Sequence, residues 1–299
     1  MAQTDSLGRA TFHYIPPANG VRPTDREIRW FKHIERHGPQ SSVYLFEVTR
    51  DTHRCKDTAL RALQRLRAGG FLTLPRQQRA TARAEFEPYI YDLTTRARDF
   101  LAARGLSEPA IRPTGHWWHA YATACVTSSI DIMAARAGVR YIPCHVILAR
   151  KGAGLGIPTS KGSVIPDQLF ALDYGGSFRA FALEVDRGTE PLRSSSARKS
   201  IQKSLAQYSQ ILEDQVYKTQ YGLKANLLVL WVFHSSRRQR QFLDLAARMP
   251  PVAARSTLCI SQALETRCFE QMIGAAGIFC RHWINPHGCS TDISSKTTS

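Results

Sequence analysis

Val164-Ile165-Pro166-Asp167-Gln168-Leu169-Phe170-Ala171-Leu172-Asp173, followed by Gly175-Gly176, Phe178 to Leu183 and Glu184-Val185-Asp186-Arg187-Gly188-Thr189, is the stretch that decides the fold. Two apolar runs flank a tight glycine turn, which predicts a β-hairpin. Antiparallel pairing sets the start of one strand beside the end of the next, so Asp167 falls near Glu184 and Asp186. Side chains alternate along a strand, and Glu184 and Asp186 therefore share one face. Three carboxylates are expected to converge at the end away from the turn. Such a cluster resists burial unless a cation or a set of donors compensates it. A hard divalent ion such as Mg²⁺ suits these oxygen ligands. The arrangement that needs no ion has Asp167 in a turn hydrogen bond, with Glu184 and Asp186 paired to Arg187 or Arg193.

Around the hairpin the pattern is that of an α/β unit. His116 to Ala137 reads as a long helix stopped by Gly138, and Tyr141 to Ala149 as an apolar strand. Lys151 to Gly162 reads as a glycine-rich, flexible connector. Its Gly152-x-Gly154-x-Gly156 lacks the Gly-Lys-Ser/Thr that a phosphate loop requires. A second long helix is expected from Ser196 to about Gln220, with Ile201, Leu205, Tyr208 and Leu212 as its stripe. Leu227 to Phe233, apolar without alternation, reads as a strand buried on both faces. A basic amphipathic helix over Arg237–Met249 and a short strand over Thr257–Ile260 follow. This order implies a mixed sheet flanked by helices, spanning residues 114–285, with 286–299 as a disordered tail.

The amino-terminal third reads differently. Residues 1–23 form a loose lead-in. Thr24 with Glu27 makes a capping-box pattern ahead of Ile28, Phe31 and Ile34. Ser41 or Ser42 opens a second helix. A third runs from about Asp57 to Ala68, with Ala59, Leu60, Leu63 and Leu66 facing inward. Strand-like Phe71–Leu74 and Tyr89–Leu93 follow, joined by a basic loop, and Thr94 or Thr95 caps a further helix. Three helices and then two strands with a basic connection is the order of a winged helix, over residues 24–110. Lys56, Arg61, Arg65 and Arg67 lie off the apolar stripe of the third helix, available to phosphates and base edges. Arg76, Arg79 and Arg83 would sit on the wing. Pro109 and Pro113 mark a linker.

Net charge fits this reading. The chain has 299 residues, 43% of them hydrophobic, and a formal charge of +16. An excess of that size suits a polyanionic partner, nucleic acid before an anionic membrane surface. No apolar run is long enough for a membrane span, and Met1 to Ala10 has no apolar signal core. Seven cysteines, without a CxxC pair, suit a reducing cytoplasm.

Pro166-Asp167 with Glu184-x-Asp186 in one sheet resembles the PD-(D/E)xK nuclease superfamily. More narrowly, Ile165-Pro166-Asp167 with Glu184-Val185-Asp186-Arg187-Gly188-Thr189-Glu190 resembles the replication-relaxation family of plasmids and other mobile elements. The resemblance covers roughly residues 24–250. It implies an amino-terminal winged helix and then a restriction-endonuclease-like mixed sheet. It also implies Asp167 and Glu184 as Mg²⁺ ligands for phosphodiester hydrolysis, duplex DNA as partner and a cytoplasmic, plasmid- or nucleoid-associated setting. Asp186 stands where the superfamily usually has its lysine. Some members place that lysine on the following helix, where Lys199 and Lys203 are candidates. Lys203, at ~100° per residue, points roughly opposite the Ile201-Leu205-Tyr208 stripe and so away from the sheet.

Other signals are weaker. His116 and His119 sit on one face of the helix before the sheet, where the superfamily often places a polar group near the metal. Cys268, Cys280, His282, His287 and Cys289 offer zinc-type donors without a zinc spacing. Two functional readings follow. One is a DNA-binding protein with a Mg²⁺-dependent nuclease-like site in which Asp167, Glu184, Asp186 and Lys203 are the candidate catalytic residues. The other is a non-catalytic regulator whose α/β part serves homodimerisation or partner contact. A third, an RNA-directed nuclease, shares the same charge.

Overall fold

The computed structural model describes residues 15–80, 88–108, 111, 115–195, 199–264, 272–274 and 277–295, without the side chains of 79, 80 and 256. The chain divides into two compact units, Met1–Ala110 and Ile111–Ser299. The linker expected at Pro109 and Pro113, and the polar start Met1 to Ala10, lie outside the described residues.

In the first unit, α1 (Asp25–His37) begins where the Glu27 carboxylate accepts the Thr24 N–H at 2.9 Å. Its apolar residues Trp30, Phe31 and Ile34 are buried. The Trp30 indole N–H reaches Leu45 O at 2.5 Å, fastening α1 to its neighbour while satisfying a polar atom inside the core. Next come β1 (Gln40–Ser41), α2 (Ser42–Val48), α3 (Lys56–Ala68), β2 (Leu72–Thr73), β3 (Ile90–Leu93) and α4 (Thr95–Ala102). The short β1, absent from the sequence reading, joins β3 to give a three-stranded antiparallel sheet of order β1-β3-β2. Ala59, Leu63 and Leu66 of α3 are buried, but Leu60, expected inside, is 38% exposed. It lies ~100° round the helix from the core-facing Ala59.

The second unit begins with α5 (Trp117–Arg136) and β4 (Arg140–Pro143). The single strand expected over Tyr141–Ala149 is instead β4 and then helix α6 (Cys144–Ala149). Pro143 ends the ladder because it has no N–H to donate. The expected flexible connector is also structured: β5 (Ile157–Thr159) and β6 (Gly162–Val164) form a hairpin. Tyr221 Oη donates to Leu155 O at 2.5 Å and Gln220 Nε2 to Gly156 O at 3.1 Å, holding this segment down.

The central hairpin is β7 (Gln168–Asp173) against β8 (Phe178–Asp186), antiparallel with Gln168 opposite Leu183. β9 (Leu227–Phe233) runs parallel to β8 and is buried throughout. The sheet order is β12-β11-β10-β9-β8-β7-β4. One face, with Leu169, Ala171, Ala182, Val229 and Trp231, packs on α7 (Ile201–Glu213) and α9 (Ser236–Arg248). The other carries the stacked rings Tyr141, Phe170 and Phe181, successive centroids 5.1 Å apart, and meets α5. Each large side chain removed from water on these faces contributes about 1.5–3 kcal/mol.

The helix expected from Ser196 to Gln220 is broken. α7 stops at Glu213, Gln215 takes a left-handed φ of 53°, and α8 (Val216–Tyr221) follows. An unbroken helix would place Tyr217 about 160° from Ile201, facing away from the core. The break turns Tyr217 and Tyr221 inward, where both are buried.

The strand expected at Thr257–Ile260 starts later: α10 (Ala253–Leu258) precedes β10 (Cys259–Ala263). β11 (Trp283–Ile284) and β12 (Ser290–Thr291) then extend the sheet. Residues 286–295 of the stretch expected as a disordered tail are therefore ordered, and 296–299 lie outside the described residues. Ile293 is buried, and its carbonyl accepts the Tyr174 hydroxyl at 2.6 Å. Among the described residues no helix is long and apolar enough to cross a membrane.

Candidate functional site

The acidic site grows out of strand register. Asp167 N donates to Leu183 O at 2.9 Å, so the pairing of β7 with β8 extends one residue back and sets Asp167 beside Glu184. Asp167 Oδ2 accepts the Val185 N–H at 2.7 Å, which fixes the carboxylate against the β8 backbone. Its other oxygen, Oδ1, lies 2.8 Å from His119 Nε2 on the first turn of α5. The Asp167 hydrogen bond raises the His119 pKa; desolvation and the charges of Lys199 and Arg187 oppose it.

Glu184 is 4% exposed. Burial, and then the nearby Asp167 charge, push its carboxyl up to about 8. The Tyr208 hydroxyl of α7 donates to Oε1 at 2.6 Å. Oε2 faces the Lys199 ammonium at 3.7 Å, and the same ammonium is 3.3 Å from Glu190 Oε1. Burial works against the Lys199 charge, but Glu184, Glu190 and Asp167 outweigh it and hold its pKa above the usual value.

Asp186 does not join this group. Its Oδ2 accepts from Arg238 Nε of α9 at 2.6 Å, and its Oδ1 from Gly188 N at 3.0 Å. Arg238 also donates through Nη2 to Glu190 O, tying the segment after β8 to α9. Gly188 has φ +78°, a left-handed conformation that favours glycine in this turn. The expected trio is thus a pair, Asp167 and Glu184, with Asp186 neutralised elsewhere. In place of the alternative pairing of Glu184 and Asp186 with Arg187 or Arg193, Asp186 meets Arg238 and Glu184 meets Tyr208 and Lys199.

Lys203 lies in α7, half-buried, and the charges acting most on Glu184 are those of Asp167, Lys199 and Glu190. Of the two candidate lysines it is Lys199 that stands at the pair. Sequence reasoning missed Tyr208, Glu190 and Arg238. Tyr208 sat in plain view as a stripe residue, and Glu190 within the quoted acidic string.

The donor set of Asp167 and Glu184 is hard oxygen, and a buried carboxyl pushed to about 8 beside a second carboxylate is an environment a divalent cation would relieve. Within the described residues of this unit, no three His, Cys, Asp or Glu side chains bring ligand atoms within 4.8 Å of one another. A cation here would be held by two carboxylates and water. The same observation removes Cys280, His282, His287 and Cys289 as a zinc cluster among the described residues; Cys268 lies outside them.

In the amino-terminal unit, Lys56 and Arg61 on α3 and Arg76 beyond β2 are exposed. Arg65 is not available in the same way: its Nη2 lies 2.6 Å from both carboxylate oxygens of Glu27, whose side chain is 3% exposed. Arg67 is half-buried beside Tyr91. The side chain of Arg79, and Arg83 entirely, lie outside the described residues.

No curated protein and no solved structure matches the chain. A family model does: the one described as replication-relaxation matches residues 31–227. That span covers most of the amino-terminal unit, the acidic hairpin, α7 and the start of β9, and by this match the chain belongs to the replication-relaxation family.

Proposed function

We propose that this is a DNA-binding protein of a plasmid or other mobile element, acting in replication on duplex DNA in the cytoplasm. Its amino-terminal unit is read as a winged helix, with α3 as the recognition helix and the β2–β3 connection as the wing. Its second unit is read as a PD-(D/E)xK-like nuclease domain. The observation that carries the reading is the pairing of Asp167 with Glu184 at the open end of the hairpin, with the Lys199 ammonium 3.7 Å from Glu184. Asp167 and Glu184 would hold Mg²⁺. When bound, that ion supplies charge neutralisation at a phosphate and a more acidic water. Val185 N and His119 orient Asp167, and Tyr208 orients Glu184. Lys199 takes the part of the superfamily lysine from the segment before α7, since Asp186 fills the usual position. The test is nicking of supercoiled plasmid with Mg²⁺ or Mn²⁺. Nicking by the wild type that Asp167→Ala and Glu184→Ala abolish supports the reading. Wild-type activity that survives both variants sinks it.

A second reading is favoured by one observation: Asp186, at the superfamily lysine position, is committed to Arg238. In that reading the unit is a non-catalytic scaffold, for homodimerisation or partner contact, in a DNA-binding regulator. Salt-dependent duplex binding without nicking in either metal, together with dimer mass in solution, supports it over the first.

A further inference from the structure

α3 carries four basic side chains and one acidic one, yet the feature that sets it apart is apolar. Leu60 is one of four large hydrophobic residues exposed among the described residues. The uncovered part of a leucine beside arginines has no apolar neighbour in its own unit to pack against. Its column on the helix is made by Lys56 and Gln64, four residues to either side, and Arg61 lies next to it across the exposed face. Gln64, Arg61 and Lys56 are all exposed. Arg65 lies on the flank turned to α1, held by Glu27 and donating to Arg22 O at 3.3 Å.

Resting on the DNA-binding reading above, we infer that Leu60, Arg61 and Gln64 are the base-reading residues of α3 in the major groove of B-form duplex DNA, and that Arg65 is not one of them. The three side chains match three kinds of base edge. Leu60 offers an apolar contact to a thymine methyl, Arg61 a bidentate donor pair to guanine O6 and N7, and Gln64 a donor and acceptor to adenine N6 and N7. Lys56, at the helix start, takes a phosphate. Duplex RNA does not fit, because its major groove is too deep and narrow for side chains of a helix to reach the bases. Asp57, also exposed, lies in the first turn, where a negative charge is favourable for the helix.

The test uses the full chain. A motif is selected from randomised duplexes, and atoms of that motif are then removed one at a time while affinity is read by anisotropy. Replacing thymine by deoxyuridine at one position is expected to weaken wild-type binding roughly three-fold or more, and 7-deaza-adenine at another roughly ten-fold. Leu60→Ala is expected to be indifferent to the first change, and Gln64→Ala to the second. Arg65→Ala keeps the wild-type motif. Leu60→Ala and Gln64→Ala alter side chains on the outer face of α3, so their thermal midpoints should stay close to that of the wild type. The inference is overturned if Leu60→Ala and Gln64→Ala stay as sensitive as wild type, if no motif is selected although DNA binds, or if duplex RNA competes equally. Absence of any binding at low salt instead removes the DNA-binding reading beneath it.

Discussion

The Tyr208 hydroxyl and Glu184 Oε1 lie 2.6 Å apart, with both side chains almost wholly removed from solvent. The phenol gives this buried carboxylate one of its few donors, and the residue that does so belongs to the apolar stripe of α7. Tyr208→Phe keeps the ring and removes the donor. It is expected to lower stability by about 1–3 kcal/mol, the cost of leaving a buried acceptor without its partner. Urea denaturation followed by tryptophan fluorescence measures this, and an unchanged midpoint would mean the bond contributes nothing.

The two lysines separate cleanly. Lys199 stands 3.7 Å from Glu184, while Lys203 is not among the charges that act most on it. Lys199→Ala is therefore expected to reduce Mg²⁺-dependent nicking at least about ten-fold, in line with loss of one charged group at a reacting phosphate. Lys203→Ala should leave the rate within about two-fold. The reverse order in a plasmid assay would move the site to α7.

Arg238, partly buried, forms an ion pair at 2.6 Å with the buried Asp186. Arg238→Ala leaves a carboxylate inside the protein without its cation and is expected to cost about 3–5 kcal/mol. Asp186→Asn in that background removes the stranded charge and should recover a large part of the loss. A double-mutant cycle in thermal or chemical unfolding reads the coupling; additive effects would show that the contact carries no energy.

His53 contributes to the pH response of the amino-terminal unit. It is 1% exposed and stacks on Trp30 at 5.0 Å, and desolvation lowers its pKa from 6.5, with Arg26 adding to the effect. The folded state therefore binds this proton less readily than the unfolded chain. The stabilisation is complete above pH 6.5 and is lost as pH falls below it, until the lowered folded pKa is passed. The slope from this one group is at most about 1.4 kcal/mol per pH unit. His53→Phe keeps a stacking ring without a titrating group, so its stability between pH 6.5 and 5 should fall less steeply than that of the wild type.

What the sequence made legible was local. The Gly175-Gly176 turn between two apolar runs gave the hairpin and its register, and register alone brought Asp167 to Glu184. The capping pattern at Thr24 and Glu27 placed the start of α1. What stayed hidden depended on distant partners. Asp186 left the cluster because Arg238, 52 residues on, reaches it from another helix. His119 was visible only as one of two histidines on a helix face until α5 was placed beside Asp167. Tyr208 has the spacing of a core residue, and nothing in that spacing reveals where its hydroxyl points. β1, β11 and β12 are two residues each, too short for any alternation to register.

The tie from Tyr174 to Ile293 spans 119 positions and joins the tip of the acidic hairpin to the segment after β12. Arg179 on the same hairpin reaches Asp292 O at 2.6 Å. During synthesis the hairpin emerges long before its fastening does, and loop closure over such a distance is slow. A nascent chain would thus hold its hairpin as an unlatched ribbon, and deleting Asp292 and Ile293 would remove the latch.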